Sequence, residues 1–294
     1  MHFLEKNTQD LRSFISELRI NGAQSASRGN FPKLTIITPS YNQADYLERT
    51  ILSVLNQNYP NLEYMIVDGG STDYSVEVIK KYEKYLSWWV SEKDRGQVHA
   101  INKALERATG EYIGFQNSDD VYFPDTFARF GEAVKNQPDD VIYGDLYMIT
   151  PDDEVTEVLK TTSYSLQSQL LEGMQIHNQS LFFKRSLVEK YGKFDESYRF
   201  AFDYEFITRY THPKTTKVRK VDGLAGALRV HPDAKSSTIA SVGKEEHAKI
   251  QKLYISTNGS DPLNKIRYLW CRVRKIAYFV LRLDLKYIRY RFSR

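Results

Sequence analysis

The chain has 294 residues, of which 41% are hydrophobic and 27% are charged, and its formal net charge is +4. This length and apolar content allow a sizeable core in one large or two small domains. The single cysteine, Cys271, excludes an intramolecular disulfide framework and a cysteine-rich zinc site. The N-terminus lacks the basic and apolar regions of a signal peptide, and no apolar run reaches the ~18 residues that a membrane-spanning helix needs. We therefore expect a cytoplasmic protein.

The positive charge is concentrated in one terminal segment. Residues 262–294 contain ten Lys or Arg and one acid, Asp284, and therefore carry +9, which leaves −5 for the other 261 residues. Charge that is confined to one segment indicates a binding partner for that segment and does not bear on the fold.

Residues 1–30 are interpreted as a polar N-terminal extension. A helix is predicted over 10–20, and the Gly-, Ser- and Ala-rich composition of 21–30 is typical of a linker. The extension contains no residues that suggest chemistry.

Strands and helices alternate regularly between residues 31 and 150. Apolar, β-branched runs predict strands, and apolar residues at three- and four-residue spacing predict helices between them. The predicted strands are 34–38, 63–67, 88–91, a short run after Gly110 and 141–149, and the predicted helices are 46–58, a segment ending at Tyr85, 98–108 and 127–134. This order predicts an α/β fold with a mostly parallel, twisted, doubly wound sheet and helices on both faces. The right-handed crossover rule places the turns after the strands along one edge of that sheet.

After residue 150 the regular alternation is lost, and polar segments separate short aromatic runs. Strands are predicted at 181–183, 218–221 and 225–230, and a short helix is predicted at 186–191. We interpret residues 151–261 as a second half or an elaborated sheet edge, and not as a repeat of the first half.

Polar residues collect where the predicted strands end, at the edge where open α/β sheets bind ligands. Two adjacent carboxylates there, Asp119 and Asp120, repel each other unless a cation lies beside them, and oxygen ligands suit Mg²⁺ or Mn²⁺. Taken alone, such a pair is more often a solvated acidic turn. The sequence has no Gly-x-Gly-x-x-Gly motif and no Walker lysine motif. A nucleotide bound here would therefore need a metal ion to hold its phosphates.

The order and spacing of these segments resemble family 2 glycosyltransferases with the GT-A (Rossmann-like) fold. The resemblance spans about residues 33–232 and is carried by the segments 35–42, 67–73, 110–120, 192–205 and 229–236. It implies an inverting, metal-dependent enzyme that moves a sugar from a nucleotide-diphosphate sugar, expected to be UDP-linked, to a hydroxyl group of a glycan or lipid-linked glycan in cell-surface polysaccharide synthesis. It also implies a nucleotide-sugar-binding GT-A half at 31–150 and an acceptor-binding half at 151–261.

The resemblance implies a donor site residue by residue. The residues that it places at the nucleotide sugar are Pro39, Tyr41, Asn42, Asp68, Asp94, Asn117, Ser118, His231 and Lys235. The sequence departs from the family pattern at two of its motifs. Gly69 occupies the place of the usual second acid of its motif, and Asp94 would compensate for it. Asn117 occupies the place of the first acid of the Asp-x-Asp metal motif.

The same resemblance implies a metal site and a catalytic base. Asp119 is the expected direct ligand of Mn²⁺ or Mg²⁺, Asp120 assists it, and Asp203 occupies the place of the general base. The metal would neutralise the charge that builds up on the leaving nucleoside diphosphate, and the base would take the proton of the acceptor hydroxyl. A base on the face opposite the leaving group implies direct displacement with inversion.

Several of these residues also have a purely structural interpretation. Asp203 alone would be typical of an acid at a helix N-terminus, and Asp73 is interpreted as a helix N-cap and not as a ligand. A lone histidine such as His177 is more often structural than in contact with substrate. Trp88 and Trp89 are interpreted as core residues, with stacking on an acceptor sugar as the alternative.

Two other functions remain open from the sequence: a non-catalytic protein that binds sugar nucleotides or glycans, and a nucleotidyltransferase. The presence of Asp203 favours catalysis over binding alone. A nucleotidyltransferase would normally have a glycine-rich, basic first loop, which residues 39–42 do not provide.

The segment 262–294 combines its basic charge with apolar residues at helical spacing, among them Ile266, Leu269, Trp270, Val273, Ala277 and Val280. This combination is typical of an amphipathic helix that lies on an anionic bilayer, so we expect a peripheral protein at the inner face of the cell membrane. One alternative is a helix that packs on the body with a solvated basic side. Nucleic-acid binding is disfavoured by the acidic body and by the lack of a recognition motif. The sequence does not indicate an oligomeric state.

Overall fold

A computed structural model describes residues 2–20, 31–255 and 262–292 of the chain. A mixed sheet of nine strands forms the centre of this described part. In chain order its strands are β1 (Leu34–Ser40), β2 (Leu62–Asp68), β3 (Trp88–Ser91), β4 (Tyr112–Phe115), β5 (Val121–Tyr122), β6 (Val141–Ile149), β7 (Val155–Leu159), β8 (Leu181–Lys184) and β9 (Val218–Arg229). The described helices are α1 (His2–Phe14), α2 (Ala44–Leu55), α3 (Ser75–Tyr82), α4 (Gln97–Leu105), α5 (Thr126–Asn136), α6 (Leu166–Glu172), α7 (Arg185–Tyr191), α8 (Phe202–Thr211), α9 (Lys235–Thr238), α10 (Ala240–Tyr254), α11 (Pro262–Leu281) and α12 (Leu285–Phe292). None of these helices is long and apolar enough to cross a membrane.

The sheet is parallel in its first half and mixed in its second. Strands β3, β2, β1 and β4 lie side by side in that order, and all of them are parallel. Strand β8 is antiparallel to β4 and to β6, whereas β9 is parallel to β6. Both predicted halves of the chain therefore contribute to one sheet. The antiparallel strands explain why the alternation of strands and helices stops after residue 150, because only parallel neighbours need a helical crossover.

Helices cover both faces of the sheet. Side chains alternate between the faces along each strand, so Ile36 belongs to a core cluster with residues of α2, α3 and α5, while Ile37 belongs to a cluster with residues of α4, α7 and α8. Trp88 and Trp89 likewise pack against the two opposite clusters, which supports their interpretation as core residues. This arrangement confirms the predicted α/β fold class.

Strand β1 extends two residues beyond the predicted range 34–38. Pro39 pairs with Val67 of β2, whereas β4 follows β1 only as far as Ile37. Pro39 therefore has a neighbouring strand on one side only, where a residue without an N–H group is tolerated. It is buried within the strand, and not on the loop where the sequence suggested it.

The N-terminal helix lies earlier in the chain than predicted. Helix α1 ends at Phe14, whereas the sequence suggested a helix over 10–20. The helix ends there because the Asn56 side chain donates hydrogen bonds to the carbonyl oxygens of Phe14 and Glu17. Leu11 packs against β5, β6 and β7, so this part of the extension belongs to the core. The predicted linker at 21–30 lies outside the described residues.

The two predicted late strands, 218–221 and 225–230, form the single strand β9. Its pairing with β6 shifts register between Tyr143 and Asp145, and Gly223 has φ 76° in this region. Glycine adopts this left-handed backbone without a steric cost, so the strand continues past the irregularity.

Candidate functional site

The loop after β1 is tied to the loop after β2 by Asn42. The Asn42 N–H donates to Ser71 Oγ over 2.8 Å, and the Thr72 N–H donates to Asn42 Oδ1 over 2.9 Å. Asn42 has φ 50°, a left-handed conformation that asparagine adopts more readily than most residues. Asn42 thus shapes the rim of the site, and its neighbour Tyr41 projects from the rim with 60% of its surface exposed.

Asp68 is fully buried and organises the second loop. Its carboxylate accepts hydrogen bonds from the Gly70 N–H, from both the N–H and the hydroxyl of Ser71, and from the hydroxyl of Ser91. Four donors from the chain itself occupy both oxygens, so the carboxylate has little capacity left for a ligand. The motif acid that the resemblance placed at the nucleotide therefore holds the loop in shape.

Asp94 lies beside Gly69, which occupies the place of the usual second acid of its motif. A Cβ atom added to Gly69 would lie 3.0 Å from Asp94 Oδ2. Asp94 Oδ1 accepts the Gly96 N–H over 2.7 Å, and within the described ranges no other hydrogen bond reaches the carboxylate. Asp94 is half-buried, so it has acceptor capacity for a ligand and occupies the space that a side chain at 69 would fill.

The loop after β4 is held by Asp120. Asp120 is fully buried, and its oxygens accept the Arg229 N–H and the side-chain amides of Asn117 and Gln179. Burial and the neighbouring Asp119 carboxylate raise the pKa of Asp120, and the three N–H donors oppose that rise. With both oxygens engaged and no exposed surface, Asp120 has little acceptor capacity left for a metal ion. Ser118 is also buried, and its carbonyl accepts the Thr50 hydroxyl.

Asp119 and His231 form a pair at the adjacent position. His231 Nε2 lies 3.1 Å from Asp119 Oδ2, and 19% of the Asp119 side chain is exposed. The hydrogen bond to Asp119 raises the pKa of His231 above its ordinary value. The second ring nitrogen of His231 is buried without a partner among the described residues.

Asp203 lies in the first turn of α8, across from Lys235. Burial raises the pKa of Asp203 to about 6, while its own backbone contacts and the Lys235 ammonium act in the opposite direction. Loss of hydration around the ammonium lowers the pKa of Lys235, which is otherwise an exposed residue, and the charges of Asp203 and Asp119 oppose that lowering. The charges of Asp203 and Asp119 therefore both favour the ammonium form of Lys235.

Gln97, at the start of α4, connects the early and late motifs. Its Nε2 donates to Asn117 Oδ1 over 2.6 Å, and its Oε1 accepts from Lys235 Nζ over 2.7 Å. Gln97 was not among the predicted site residues, because a single amide at a helix start carries no recognisable pattern.

Arg229 is a second residue of the site that was not predicted from the sequence. Its guanidinium is fully buried, donates to the Asp119 carbonyl over 2.7 Å and forms an ion pair with Asp153 at 2.6 Å. It also lies over the Tyr46 ring, 5.1 Å from the ring centre. The available signal was an arginine at the end of an otherwise apolar strand, which requires a buried anionic partner.

Asp73 and His177, which were interpreted from the sequence as structural residues, have environments that agree with that interpretation. Asp73 accepts the N–H groups of Ala44 and Ser75, at the starts of two helices, as a capping residue does. Burial and the nearby Lys275 lower the pKa of His177 to about 4, so its ring is neutral at physiological pH.

The chain is similar to known proteins over the part that forms this cleft. The family described as Glycosyl transferase family 2 matches residues 35–202, more than half of the chain. An uncharacterized glycosyltransferase of Mycobacterium tuberculosis is 33% identical over 181 residues, which are 60% of this chain and 68% of that protein. The putative teichuronic acid biosynthesis glycosyltransferase TuaG of Bacillus subtilis is 44% identical over 101 residues, which are 33% of this chain and 40% of TuaG.

Two solved structures share the fold at low sequence identity. S. aureus TarS 1-349, in complex with UDP-GlcNAc, has a TM-score of 0.58 at 19% identity and matches 74% of this chain and 64% of its own. The mannosyltransferase PcManGT from Pyrobaculum calidifontis, in complex with GDP-Man and Mn²⁺, has a TM-score of 0.58 at 19% identity and matches 90% of this chain and 75% of its own. The likeness supports the GT-A fold, and together with the family match it shows that the chain belongs to the family 2 glycosyltransferases.

Proposed function

We propose that this glycosyltransferase moves a sugar, with inversion, from a UDP-linked donor to a hydroxyl group of a glycan or lipid-linked glycan during cell-surface polysaccharide synthesis. The proposal depends chiefly on one chain of contacts: Lys235, whose ammonium is influenced by the Asp203 charge, donates to Gln97, and Gln97 donates to Asn117 in the loop that carries Asp119. TuaG, whose name refers to teichuronic acid biosynthesis, supports the polysaccharide context, and TarS with UDP-GlcNAc supports the donor class.

Asp203 would act as the general base. Its pKa of about 6 leaves it ionised at neutral pH, yet close enough to neutrality to accept the proton of an acceptor hydroxyl. Lys235, whose ammonium interacts with the Asp203 charge, would contribute positive charge to the binding of the donor diphosphate. A base and a leaving group on opposite sides favour direct displacement and inversion of configuration.

A divalent cation would be held at Asp119, with His231 beside it. The accessible carboxylate of Asp119 fits Mn²⁺ or Mg²⁺, which are often bound by one or two protein groups together with substrate phosphates. The described ranges contain no cluster of three His, Cys, Asp or Glu residues, so the donor diphosphate and water would complete the coordination. When bound, the ion would supply positive charge to the leaving diphosphate. PcManGT, which was solved with Mn²⁺, supports this choice.

The most direct test is a thermal-shift screen of nucleotide sugars with and without Mn²⁺. A UDP-sugar is expected to raise the melting temperature, and to raise it more with Mn²⁺, because ligands that bind the native state stabilise it. A shift with GDP-sugars alone would change the proposed donor. The absence of a shift with every nucleotide would contradict the proposed function.

Asp119→Ala is expected to remove the Mn²⁺ dependence of UDP binding. The substitution deletes the accessible carboxylate and leaves the buried loop contacts of Asp120 in place. Loss of a charge-assisted contact of this kind corresponds to about tenfold or more in affinity. Calorimetry of UDP binding with and without Mn²⁺ measures the effect, and unchanged Mn²⁺ dependence would remove Asp119 as a ligand.

Asp94 is proposed to contact the nucleoside in place of the missing acid at position 69. Asp94→Ala is expected to weaken UDP binding about tenfold, because a charged hydrogen-bond acceptor is lost. Gly69→Asp alone would bring a second carboxylate against Asp94, whose Oδ2 would lie 3.0 Å from the new Cβ. The double variant Gly69→Asp/Asp94→Ala relocates one carboxylate and should bind UDP more tightly than either single variant. If the double variant binds no better than the singles, Asp94 does not replace the missing acid.

A further inference from the structure

Helix α11 is attached to the body of the protein through its polar side. Cys271 and Asn264 are buried on that side, and Lys275 Nζ lies 3.1 Å from Glu172 at the end of α6. Arg274 donates to the carbonyl oxygen of Ser163 over 3.0 Å. The positions 264, 271 and 275 follow helical spacing, so they define one face of the helix.

The opposite side of α11 is apolar and exposed. We call this side the apolar stripe. Its residues recur every three or four positions and are between 47% and 65% exposed: Ile266, Leu269, Trp270, Val273, Ile276 and Val280. Ten of the fourteen large hydrophobic residues that are exposed in the described chain lie between 263 and 283. Such a concentration on one surface marks an interaction site, whereas scattered exposed apolar residues do not.

The orientation of α11 is not the one expected for a helix that packs on the body with its basic side in solvent. A helix that only packs on the body would bury its apolar residues and leave its basic side in solvent. Helix α11 does the reverse, because Lys275 and Arg274 face the body while the apolar stripe faces outward. Packing on the body therefore leaves the apolar stripe available to a partner.

Basic residues flank the apolar stripe on both sides. Helical spacing puts Lys265 and Arg272 along one border and Arg267 along the other, and all three are exposed. An apolar stripe bordered by cationic side chains complements an anionic bilayer, in which acyl chains lie beneath negatively charged headgroups. A protein partner would need a matching apolar groove with an acidic rim, whereas a bilayer provides both features everywhere on its surface.

The contacts of the tail attach α11 to residues 151–261, the half that contains Asp203. Lys160 pairs with Asp284 after α11, and Arg282 pairs with Asp222 on β9 over 2.6 Å. Helix α11 lies on α6, and α6 lies on α8, where the Tyr204 hydroxyl donates to a carbonyl of α6 over 2.6 Å. Tyr204 follows Asp203, so one helix separates the stripe from the helix that carries the proposed base.

We propose that the apolar stripe is a preformed docking surface for an anionic bilayer. The basic flanks draw the protein to the headgroups, and the six apolar side chains enter the interface without any change in α11. The acceptor half of the cleft is thereby held close to the membrane, where the sugar of a lipid-linked acceptor is presented. This last step rests on the proposed function, whereas docking of the stripe does not.

The test is sedimentation of the full chain with vesicles of phosphatidylcholine alone or mixed with phosphatidylglycerol. The wild-type protein is expected to pellet with the anionic vesicles and much less with the neutral ones. The triple variant Leu269→Glu/Val273→Glu/Ile276→Glu should lose at least tenfold in partitioning, since it puts three carboxylates into the stripe. Lys265→Gln/Arg272→Gln should weaken binding to anionic vesicles and leave the weak binding to neutral vesicles unchanged.

Leu253→Glu is the matched control, because Leu253 is an exposed leucine on α10, 69% exposed and outside the stripe. It should pellet like the wild type. Equal pelleting of the triple variant and the wild type, or no pelleting of the wild type with anionic vesicles, would overturn the proposal. Sedimentation velocity without vesicles tests whether a second copy of the chain binds the stripe instead. A dimer that the triple variant abolishes would assign the stripe to that second copy. UDP binding in solution is measured on the same proteins, so that failure of vesicle binding and failure of the proposed transferase function are distinguished.

Discussion

Asp203→Asn is expected to abolish sugar transfer and to leave UDP binding intact. Asparagine keeps the size of the side chain and its acceptor oxygen for the Tyr204 N–H, which Asp203 Oδ1 accepts over 2.8 Å. It cannot take a proton from an acceptor hydroxyl, and a general base typically contributes ~10²–10⁴-fold to the rate. Turnover of the UDP-sugar with a glycan acceptor, together with calorimetry of UDP, separates the two effects. Retained turnover would remove Asp203 as the base.

The same substitution should also make the protein more stable at neutral pH. The native pKa of Asp203 is about 6, above the value of about 3.9 in an unfolded chain, so the native state binds the extra proton. The stability that this proton contributes is present below about pH 4 and is lost as the pH rises through about 6. Asp203→Asn avoids that loss, and its free energy of unfolding at pH 7.5 is expected to exceed that of the wild type by about 2 kcal/mol. Urea unfolding at pH 7.5 and pH 5 checks this, and the difference should shrink at pH 5.

Wild-type activity should follow the same titration. The rate of transfer is expected to fall as the pH drops through about 6, because the protonated Asp203 cannot act as a base. If Asp203→Asn is inactive but no more stable than the wild type, the pKa of Asp203 is not raised by burial. The residue would then have a structural role at the start of α8.

The sequence predicted the first half of the fold well because that half is built from local signals. Each parallel strand in 31–150 is a continuous apolar run, and each crossover helix has its own periodicity, so neither depends on distant residues. Strand β9 could not be predicted as one strand from its local sequence pattern. Gly223 interrupts the local pattern, and only the pairing with β6 shows that the strand continues. Helix α10 was not predicted either. Only two of its residues are buried, so its sequence has little of the apolar periodicity that would predict a helix.

In the candidate site, too, the local features were predicted from the sequence and the contacts between distant segments were not. The acidic residues at strand ends were found from spacing and from the family resemblance, but their individual roles depend on contacts between distant segments. Asp68 and Asp120 look like ligand residues in the sequence, yet distant residues donate to their carboxylates: Ser91 to Asp68, and Gln179 and Arg229 to Asp120. The family resemblance suggested that Asp94 compensates for Gly69, but the short distance between these positions, which lie 25 residues apart, comes only from the three-dimensional structure.

Arg229→Met is expected to lower the free energy of unfolding by about 3 kcal/mol or more. The buried guanidinium binds Asp153, and it also donates to the carbonyl oxygens of Asp119, Thr150 and Pro151. Methionine fills much of the volume but leaves these acceptors without their donor, and removal of one partner from a buried ion pair is strongly destabilising. Urea unfolding measures the loss.

Arg49→Met is the matched control, because Arg49 also binds Asp153 and the Pro151 carbonyl but keeps 26% of its side chain exposed. It makes no contact with Asp119 within the described residues, and its loss should cost only about 1 kcal/mol. The two variants also separate stability from function. Arg229 holds the Asp119 backbone directly, so Arg229→Met should weaken the Mn²⁺-dependent part of UDP binding, whereas Arg49→Met should not. Equal losses of Mn²⁺ dependence in both variants would show that the effect follows Asp153 and not the contact between Arg229 and Asp119.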